Sequence, residues 1–251
     1  MNIITLTTDL GLKDHYAAVL KGKILRRFAE AQFIDVTHLI EPFDVQQAAH
    51  VLGVSWRNFP NGTVHAVAVN MQHTAQLRCI FFPYKGHYFA GPDNGVFPLA
   101  LGELPRDIFS IPTSGNIMDD LAEAAAALAD GAPLLEIGTL TGNIQILHNI
   151  LPPVNDHMIK TNVAYIDHFG NVVLAINKED FEASRRNRTM DMEFGKREHI
   201  SKVSDTYADV PEGEKLCLFN DSGFLEIAIN KGNAHELLGL KINDTILIEF
   251  S

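Results

Sequence analysis

Ile3-Ile4-Thr5-Leu6-Thr7-Thr8-Asp9-Leu10-Gly11 is an apolar, β-prone run that stops at Thr-Thr-Asp-x-Gly, and a helix-like run over 14–29 follows at once. A strand that turns straight into a helix is how an α/β sheet opens. The pattern sets Asp9 just beyond the strand's carboxyl end, where open α/β sheets put their ligands. Asp9 is therefore the first candidate site residue; the alternative is that its carboxylate only organises its own turn.

Outward from there, 32–36 reads as a second buried strand and 37–43 as a loop. Asp44 follows as the N-cap of an amphipathic helix on which Val45, Ala48, Ala49, Leu52 and Trp56 recur at three and four. Residues 63–69 read as a third strand. Strand, helix, strand, helix, strand predicts a mainly parallel sheet between helices. Past a polar loop over 70–76, residues 77–84 and 87–90 form a hairpin-like pair around Lys85-Gly86. The turn cluster Gly91-Pro92-Asp93-Asn94-Gly95 then leads into a short helical run over 96–101. It either connects elements or lets backbone approach a ligand closely. Asp119 or Asp120 is the expected cap of an alanine-rich helix over 121–129, and the pattern loosens over 139–149.

Leu151-Pro152-Pro153-Val154-Asn155-Asp156 reads as a linker, because two prolines block both helix continuation and ladder pairing. Beyond it the runs 157–166, 172–176, 189–194, 215–219, 224–229 and 245–250 are short alternating strands, and only 178–184 and 234–238 look helical. The expectation is an α/β N-terminal domain over 1–151 and an all-β C-terminal domain over 157–251, antiparallel and barrel-like.

Composition narrows the function classes. The chain has 251 residues, 46% of them hydrophobic, which is ample for a core. A net charge of -11 with only 20 Lys and Arg argues against a nucleic-acid surface and would tolerate a cationic small ligand. No apolar run of about 18 residues is present, and the N-terminus enters a strand without a basic segment, so a cytoplasmic protein with no membrane partner is expected. Cys79 and Cys217 lie far apart in apolar runs and read as buried, reduced thiols rather than a disulfide or zinc pair. The eleven histidines are scattered without metal-ligand spacing, so no metal site is expected. Walker, G-x-G-x-x-G, H-E-x-x-H and G-x-S-x-G signatures are absent.

What remains is an ordered set of polar loops at strand ends. Thr7-Thr8-Asp9-x-Gly11-x-x-Asp14, Asp35-Val36-Thr37-His38, Pro42-Phe43-Asp44-Val45 and Phe59-Pro60-x-Gly62-Thr63-Val64-His65 come first. Gly91-Pro92-Asp93-Asn94-Gly95, Ile166-Asp167-His168-Phe169-Gly170-Asn171 and Asn220-x-Ser222-Gly223-x-Leu225-Glu226-Ile227-Ala228-x-Asn230-x-Gly232 follow. In this order and over essentially the whole chain, the set closely resembles the S-adenosyl-L-methionine (SAM) hydroxide adenosyltransferases. These are also called SAM hydrolases and are relatives of the fluorinases and chlorinases.

The resemblance implies a homotrimer with sites between the N-terminal domain of one subunit and the C-terminal domain of its neighbour. The residue matching Asp9 would hold the two ribose hydroxyls, Asp14 would face the methionine ammonium, and Phe43 would line the ribose. From the C-terminal domain, Asp167, Phe169 and Asn171 would meet the methionine amine and the adenine, and Tyr207 would stack on the adenine. Asp221, Ser222 and Lys231 in the late run complete the implied ligand-binding set. These residue types suit the roles: a carboxylate accepts from vicinal hydroxyls, an amide both donates and accepts, and an aromatic face buries a base. The implied chemistry is displacement at the ribose C5′ with neutral methionine leaving a sulfonium, which needs positioning and proton removal but no metal and no cofactor besides SAM itself.

The chain departs from the family pattern at the proton-handling positions. The Asp expected at the end of the third strand is Asn70, followed by Met71-Gln72-His73-Thr74-Ala75; the Arg position falls on Leu77 with Arg78 one residue later; and the expected His aligns with Asn116. An amide takes no proton at neutral pH. Asp221 also replaces a Ser near the methionine carboxylate, where like charges would repel. Candidate catalytic positions are thus Asn70, His73, Arg78 and Asn116, with His73 the only nearby imidazole. Three readings stand: a SAM hydrolase with a substituted base, an enzyme using another nucleophile or adenosyl ligand, and a catalytically inactive adenosyl-binding protein.

Overall fold

The computed structural model describes residues 2–72, 77–103, 105–147, 157–195 and 198–251. The chain divides into two compact units, Met1–Asn149 and Ile150–Ser251. The expected linker at 151–156 lies outside the described residues.

In the N-terminal unit the strands are β1 (Ile3–Thr8), β2 (Gln32–Thr37), β3 (Val64–Ala68), β4 (Cys79–Tyr84), β5 (His87–Pro92), β6 (Ile108–Ser110) and β7 (Thr139–Thr141). They form one sheet in the order β2-β1-β3-β5-β4-β6-β7. The first four in that order run parallel, and the antiparallel hairpin partner β4 begins the remainder, with β6 and β7 antiparallel to their neighbours. Helix α1 (Tyr16–Leu25) packs with α4 (Ile117–Asp130) on one face, where Leu20, Ile24, Leu121 and Ala125 meet Ile4, Leu6, Ala66 and Ala68. Helices α2 (Val45–Ser55) and α3 (Val96–Leu101) cover the other, where Ala48, Leu52 and Phe97 meet Val67, Val69 and Phe89. Alternation along β3 thus feeds both faces, as a sheet between helices requires. The short α5 (Leu134–Ile137) precedes β7.

Three local readings are corrected. Helix α1 begins at Tyr16 rather than 14, because Gly11 adopts φ +69 and donates its N–H to His38 O at 2.8 Å, holding the preceding segment as a loop. The cap of α4 is Asn116, not Asp119 or Asp120: its side chain accepts from Met118 N and Asp119 N. The two aspartates sit in the first turn, where the helix dipole favours negative charge. The loosely patterned stretch contains β7, which pairs with β6; strands of three residues are too short to show a period.

The C-terminal unit contains β8 (Met158–Ile166), β9 (Val172–Asn177), α6 (Lys178–Arg185), β10 (Met190–Phe194) and β11 (Glu198–Ile200). β12 (Lys215–Phe219), β13 (Phe224–Ile229), α7 (Ala234–Leu238) and β14 (Thr245–Phe250) complete it. Its seven strands run antiparallel in the order β11-β10-β14-β8-β9-β13-β12. The two ends of that order nearly meet: Val203 bridges Cys217, Ser204 N donates to Cys217 O at 2.8 Å, and Lys215 pairs with Glu198. The result is a nearly closed barrel, which leaves little unpaired strand edge. Leu225 and Ile227 point into its core with Phe181 and Ile248, while Ala228 on the opposite face packs with Leu216 and Leu218 beneath Val210. Both cysteines are free and buried. No helix among the described residues is long and apolar enough to cross a membrane.

Candidate functional site

Asp9, Phe43 and Asn70 of the N-terminal unit meet at the carboxyl ends of β1 and β3. Asp9 Oδ2 accepts from Phe43 N at 3.0 Å and from Asn70 N at 2.9 Å, and no described residue engages Oδ1. Both donors have left-handed backbones, Phe43 at φ +71 and Asn70 at φ +50. Asn tolerates that region, but for Phe it costs about 1–2 kcal/mol. The carboxylate therefore organises two distant loops and not merely its own turn. One of its oxygens is spent on the backbone, and Phe43, which donates one of those bonds, is an exposed aromatic. Asp14 is exposed on the loop before α1.

The turn carrying Asp9 is held from behind. Thr8 Oγ1 lies 2.8 Å from His38 Nδ1 and accepts from Leu10 N at 3.3 Å. His38 Nε2 is 3.1 Å from Asp35 Oδ1, within ion-pair reach but off a linear hydrogen-bond line, and Lys21 Nζ is 2.7 Å from Asp35 Oδ2. Partial burial would raise the Asp35 carboxyl, but the Lys21 hydrogen bond and the neighbouring His38 hold it below its ordinary value. His38 is buried, and its Asp35-Val36-Thr37-His38 motif thus acts as a brace under the Asp9 turn.

Two of the positions expected to handle a proton, Arg78 and Asn116, are engaged elsewhere. Arg78 donates through Nε to Asp93 Oδ2 at 2.9 Å, through one terminal nitrogen to Thr141 Oγ1 at 3.0 Å, and through the other to the Asn143 carbonyl. Asp93 Oδ1 in turn accepts from Gln145 N at 2.7 Å. The Gly-Pro-Asp-Asn-Gly cluster is therefore a docking point for 141–145. Gly91 is required for packing there, since a Cβ would lie 2.9 Å from both Phe97 Cζ and Val67 O. Asn116 Oδ1 is committed to capping α4. His73 lies outside the described residues.

In the C-terminal unit, Asp167 closes the turn between β8 and β9. Its Oδ1 accepts from Phe169 N at 2.9 Å and Asn171 N at 2.8 Å, and its Oδ2 accepts from Asn171 Nδ2 at 3.0 Å. That bracing leaves the Phe169 ring standing 74% exposed while Asn171 is buried. Gly170 has φ +82, and a Cβ on it would fall 2.7 Å from Asn233 Nδ2 and closer still to Cγ and Oδ1, so the turn is locked against the cap of α7. Tyr207, half exposed, sits in a single 3₁₀ turn and donates its hydroxyl to Glu226 Oε1 at 2.8 Å. Burial, the Glu226 bond and nearby Asp167 and Asp221 all push its phenol upward, so it stays neutral. Asp221 and Ser222 lie on an exposed turn organised by Asn220, and Lys231 pairs with Glu212. Each unit thus carries its own group of candidates: Asp9, Phe43 and Asn70 in one, Asp167, Phe169, Asn171, Tyr207 and Asp221 in the other.

His38, Asp93 and Glu226, all inside the quoted motifs, received no role from the sequence. Glu226 had a visible signal, a carboxylate in the middle of an apolar strand. His38 and Asp93 had none, because their partners come from other segments.

Comparison with known proteins places these groups in context. Residues 4–138 match the SAM hydroxide adenosyltransferase N-terminal domain model, and 161–247 match the corresponding C-terminal domain model. An (R)-S-adenosyl-L-methionine hydrolase of Salinispora tropica is 32% identical, covering 98% of this chain and 97% of that protein. A fluorinase of Nocardia brasiliensis is 26% identical over 98% of this chain and 96% of its own length. The crystal structure of an uncharacterized conserved protein from Thermotoga maritima superposes with a TM-score of 0.87 at 34% identity, covering 98% and 99% of the two chains. Matched in both halves and aligned end to end with these relatives, the chain belongs to the SAM hydroxide adenosyltransferase family.

Proposed function

We infer that this protein binds S-adenosyl-L-methionine and hydrolyses it to adenosine and L-methionine. The observation that carries the reading is the Asp9 carboxylate, whose Oδ2 is held by two backbone N–H groups, in a chain aligned end to end with a named SAM hydrolase. A carboxylate oriented this way offers its second oxygen to vicinal ribose hydroxyls without reorganising. Phe43 lines the ribose, Asp14 meets the ammonium, Asp167, Phe169 and Asn171 take the amine and the adenine edge, and Tyr207 stacks on the base. Asp221, Ser222 and Lys231 lie toward the methionine end. In the reaction a water oxygen bonds to C5′ as the C5′–S bond breaks, the sulfur keeps the electron pair and leaves as neutral methionine, and the water proton passes to a base or to solvent. His73 is the imidazole nearest in sequence to that task. The active assembly is a homotrimer with sites shared between neighbouring subunits, and no cofactor or metal takes part.

A specific observation favours a second reading, an adenosyl-binding protein without turnover. Arg78 is braced by Asp93, Thr141 and the Asn143 carbonyl, Asn116 commits its Oδ1 to its helix cap, and neither a guanidinium nor an amide takes a proton from water at neutral pH. Incubation of purified protein with SAM, separation of products and calorimetric titration with SAM and adenosine decide between the two. Adenosine and methionine formed at a rate abolished by Asp9→Ala support the hydrolase. Binding without product leaves the binder, and no affinity for either ligand removes the adenosyl reading.

A further inference from the structure

Among the described residues Glu226 is the most deeply buried carboxylate of the C-terminal unit, 2% exposed, on the face of β13 that does not point into the barrel core. Burying a carboxylate is costly unless its oxygens are satisfied. Here they are: Oε1 accepts from the Tyr207 hydroxyl at 2.8 Å, and Oε2 from Asn220 Nδ2 at 3.3 Å. Burial pushes this carboxyl upward, those two hydrogen bonds oppose the shift, and the charges of Asp167 and Asp221 add to it.

The two partners belong to different surface segments. Tyr207 lies on the 3₁₀ turn Tyr207–Asp209, closed by a reciprocal Thr206–Asp209 capping box. Asn220 builds the turn that displays Asp221 and Ser222: its Oδ1 accepts from Ser222 N and Phe224 N, both at 3.1 Å, and its backbone pairs with Phe224 O and Gly223 N. One buried carboxylate therefore ties together the aromatic and the turn that make up much of the C-terminal candidate group. Nothing else among the described hydrogen bonds joins those two segments.

We propose that Glu226 is a positioning residue that sets the Tyr207 ring and the 220–223 turn for an adenosyl ligand. It does not touch the ligand and acts through the Tyr207 hydroxyl and the Asn220 amide. The assignment rests on the adenosyl-binding reading above. It extends that reading by making the ring position, rather than the ring alone, the determinant of affinity.

The test uses the full chain in Glu226→Gln, Glu226→Ala, Tyr207→Phe and the Glu226→Gln/Tyr207→Phe double variant. Adenosine binding is measured by calorimetry, and the Tyr207 ring is followed by NMR with ¹³C-labelled tyrosine, assigned through Tyr207→Phe. Glu226→Ala should weaken adenosine about tenfold or more, the scale of a lost charge-assisted hydrogen bond. Glu226→Gln keeps an acceptor for the tyrosine hydroxyl and should recover most of the affinity. The double variant should lose little more than Tyr207→Phe alone, because once the tyrosine hydroxyl is gone Glu226→Gln has only the Asn220 link left to disturb. A double-variant loss far beyond that of Tyr207→Phe, or wild-type affinity in Glu226→Ala, would overturn the proposal. If the wild type binds neither adenosine nor SAM, the adenosyl reading falls. The positioning role is then decided by the ring: unchanged Tyr207 signals in Glu226→Ala, or in Glu226→Gln should the alanine variant not fold, refute it.

Discussion

Gly170→Ala should damage the C-terminal unit far more than a one-carbon change suggests. At φ +82 an alanine pays the left-handed penalty, about 1–2 kcal/mol. Its Cβ would also sit 2.7 Å from Asn233 Nδ2 and nearer to the rest of that amide. Relief requires Asn233 to swing away, which breaks its 3.0 Å bond to Glu236 N and uncaps α7, a loss of about 1 kcal/mol. Staying put instead costs the overpacking penalty of about 1–3 kcal/mol. Against this stands a gain of about 0.4–1 kcal/mol from the stiffer unfolded chain. The net expectation is a destabilisation of about 1–4 kcal/mol. Gly223→Ala is the control, since Gly223 has φ +79 but nothing within 4 Å of a built Cβ, so only the backbone penalty applies there. Urea unfolding of the full chain, followed by far-UV circular dichroism with Trp56 fluorescence reporting the N-terminal unit separately, measures both. Equal losses in the two variants, or a Gly170→Ala loss below about 1 kcal/mol, would refute the steric argument.

The N-terminal unit should weaken in mild acid. His65 is buried, bonded to Thr5 Oγ1 at 2.8 Å and 3.1 Å from His87 Nδ1, and burial first, then the charge of His87, lowers its pKa to about 3. A depressed histidine stays neutral in the fold while the unfolded chain takes up the proton, so stability is complete above about pH 6.5 and is lost as pH falls toward 3. The loss should reach about 2 kcal/mol at pH 5, read from urea midpoints across pH, and His65→Gln should flatten that slope. Asn116→Ala should lower stability by about 1 kcal/mol through loss of the α4 cap, yet leave adenosine affinity unchanged in calorimetry.

Much of this molecule is local and therefore readable from the chain. Apolar runs in the N-terminal unit and alternating ones in the C-terminal unit, bounded by turn residues, mark most of the strands, and the change from alternating strands and helices to strands alone marks the change of architecture. Asp9 is legible as a strand-end carboxylate for the same reason. Failures occur where the local signal is short or ambiguous. β6 and β7 are three residues each, and Asp119 and Asp120 imitate the cap that Asn116 provides.

Motif order in the sequence was enough to indicate the family and the residue types of the site, because those are properties of the chain read in line. Only tertiary structure decided what each side chain is committed to. Asp9 is bonded to amides 34 and 61 residues away, Arg78 reaches 63 residues to Thr141, and Glu226 joins segments that share no local pattern. A hydrogen bond forms between groups that packing brings within about 3 Å and aligns, and sequence separation has no part in that condition.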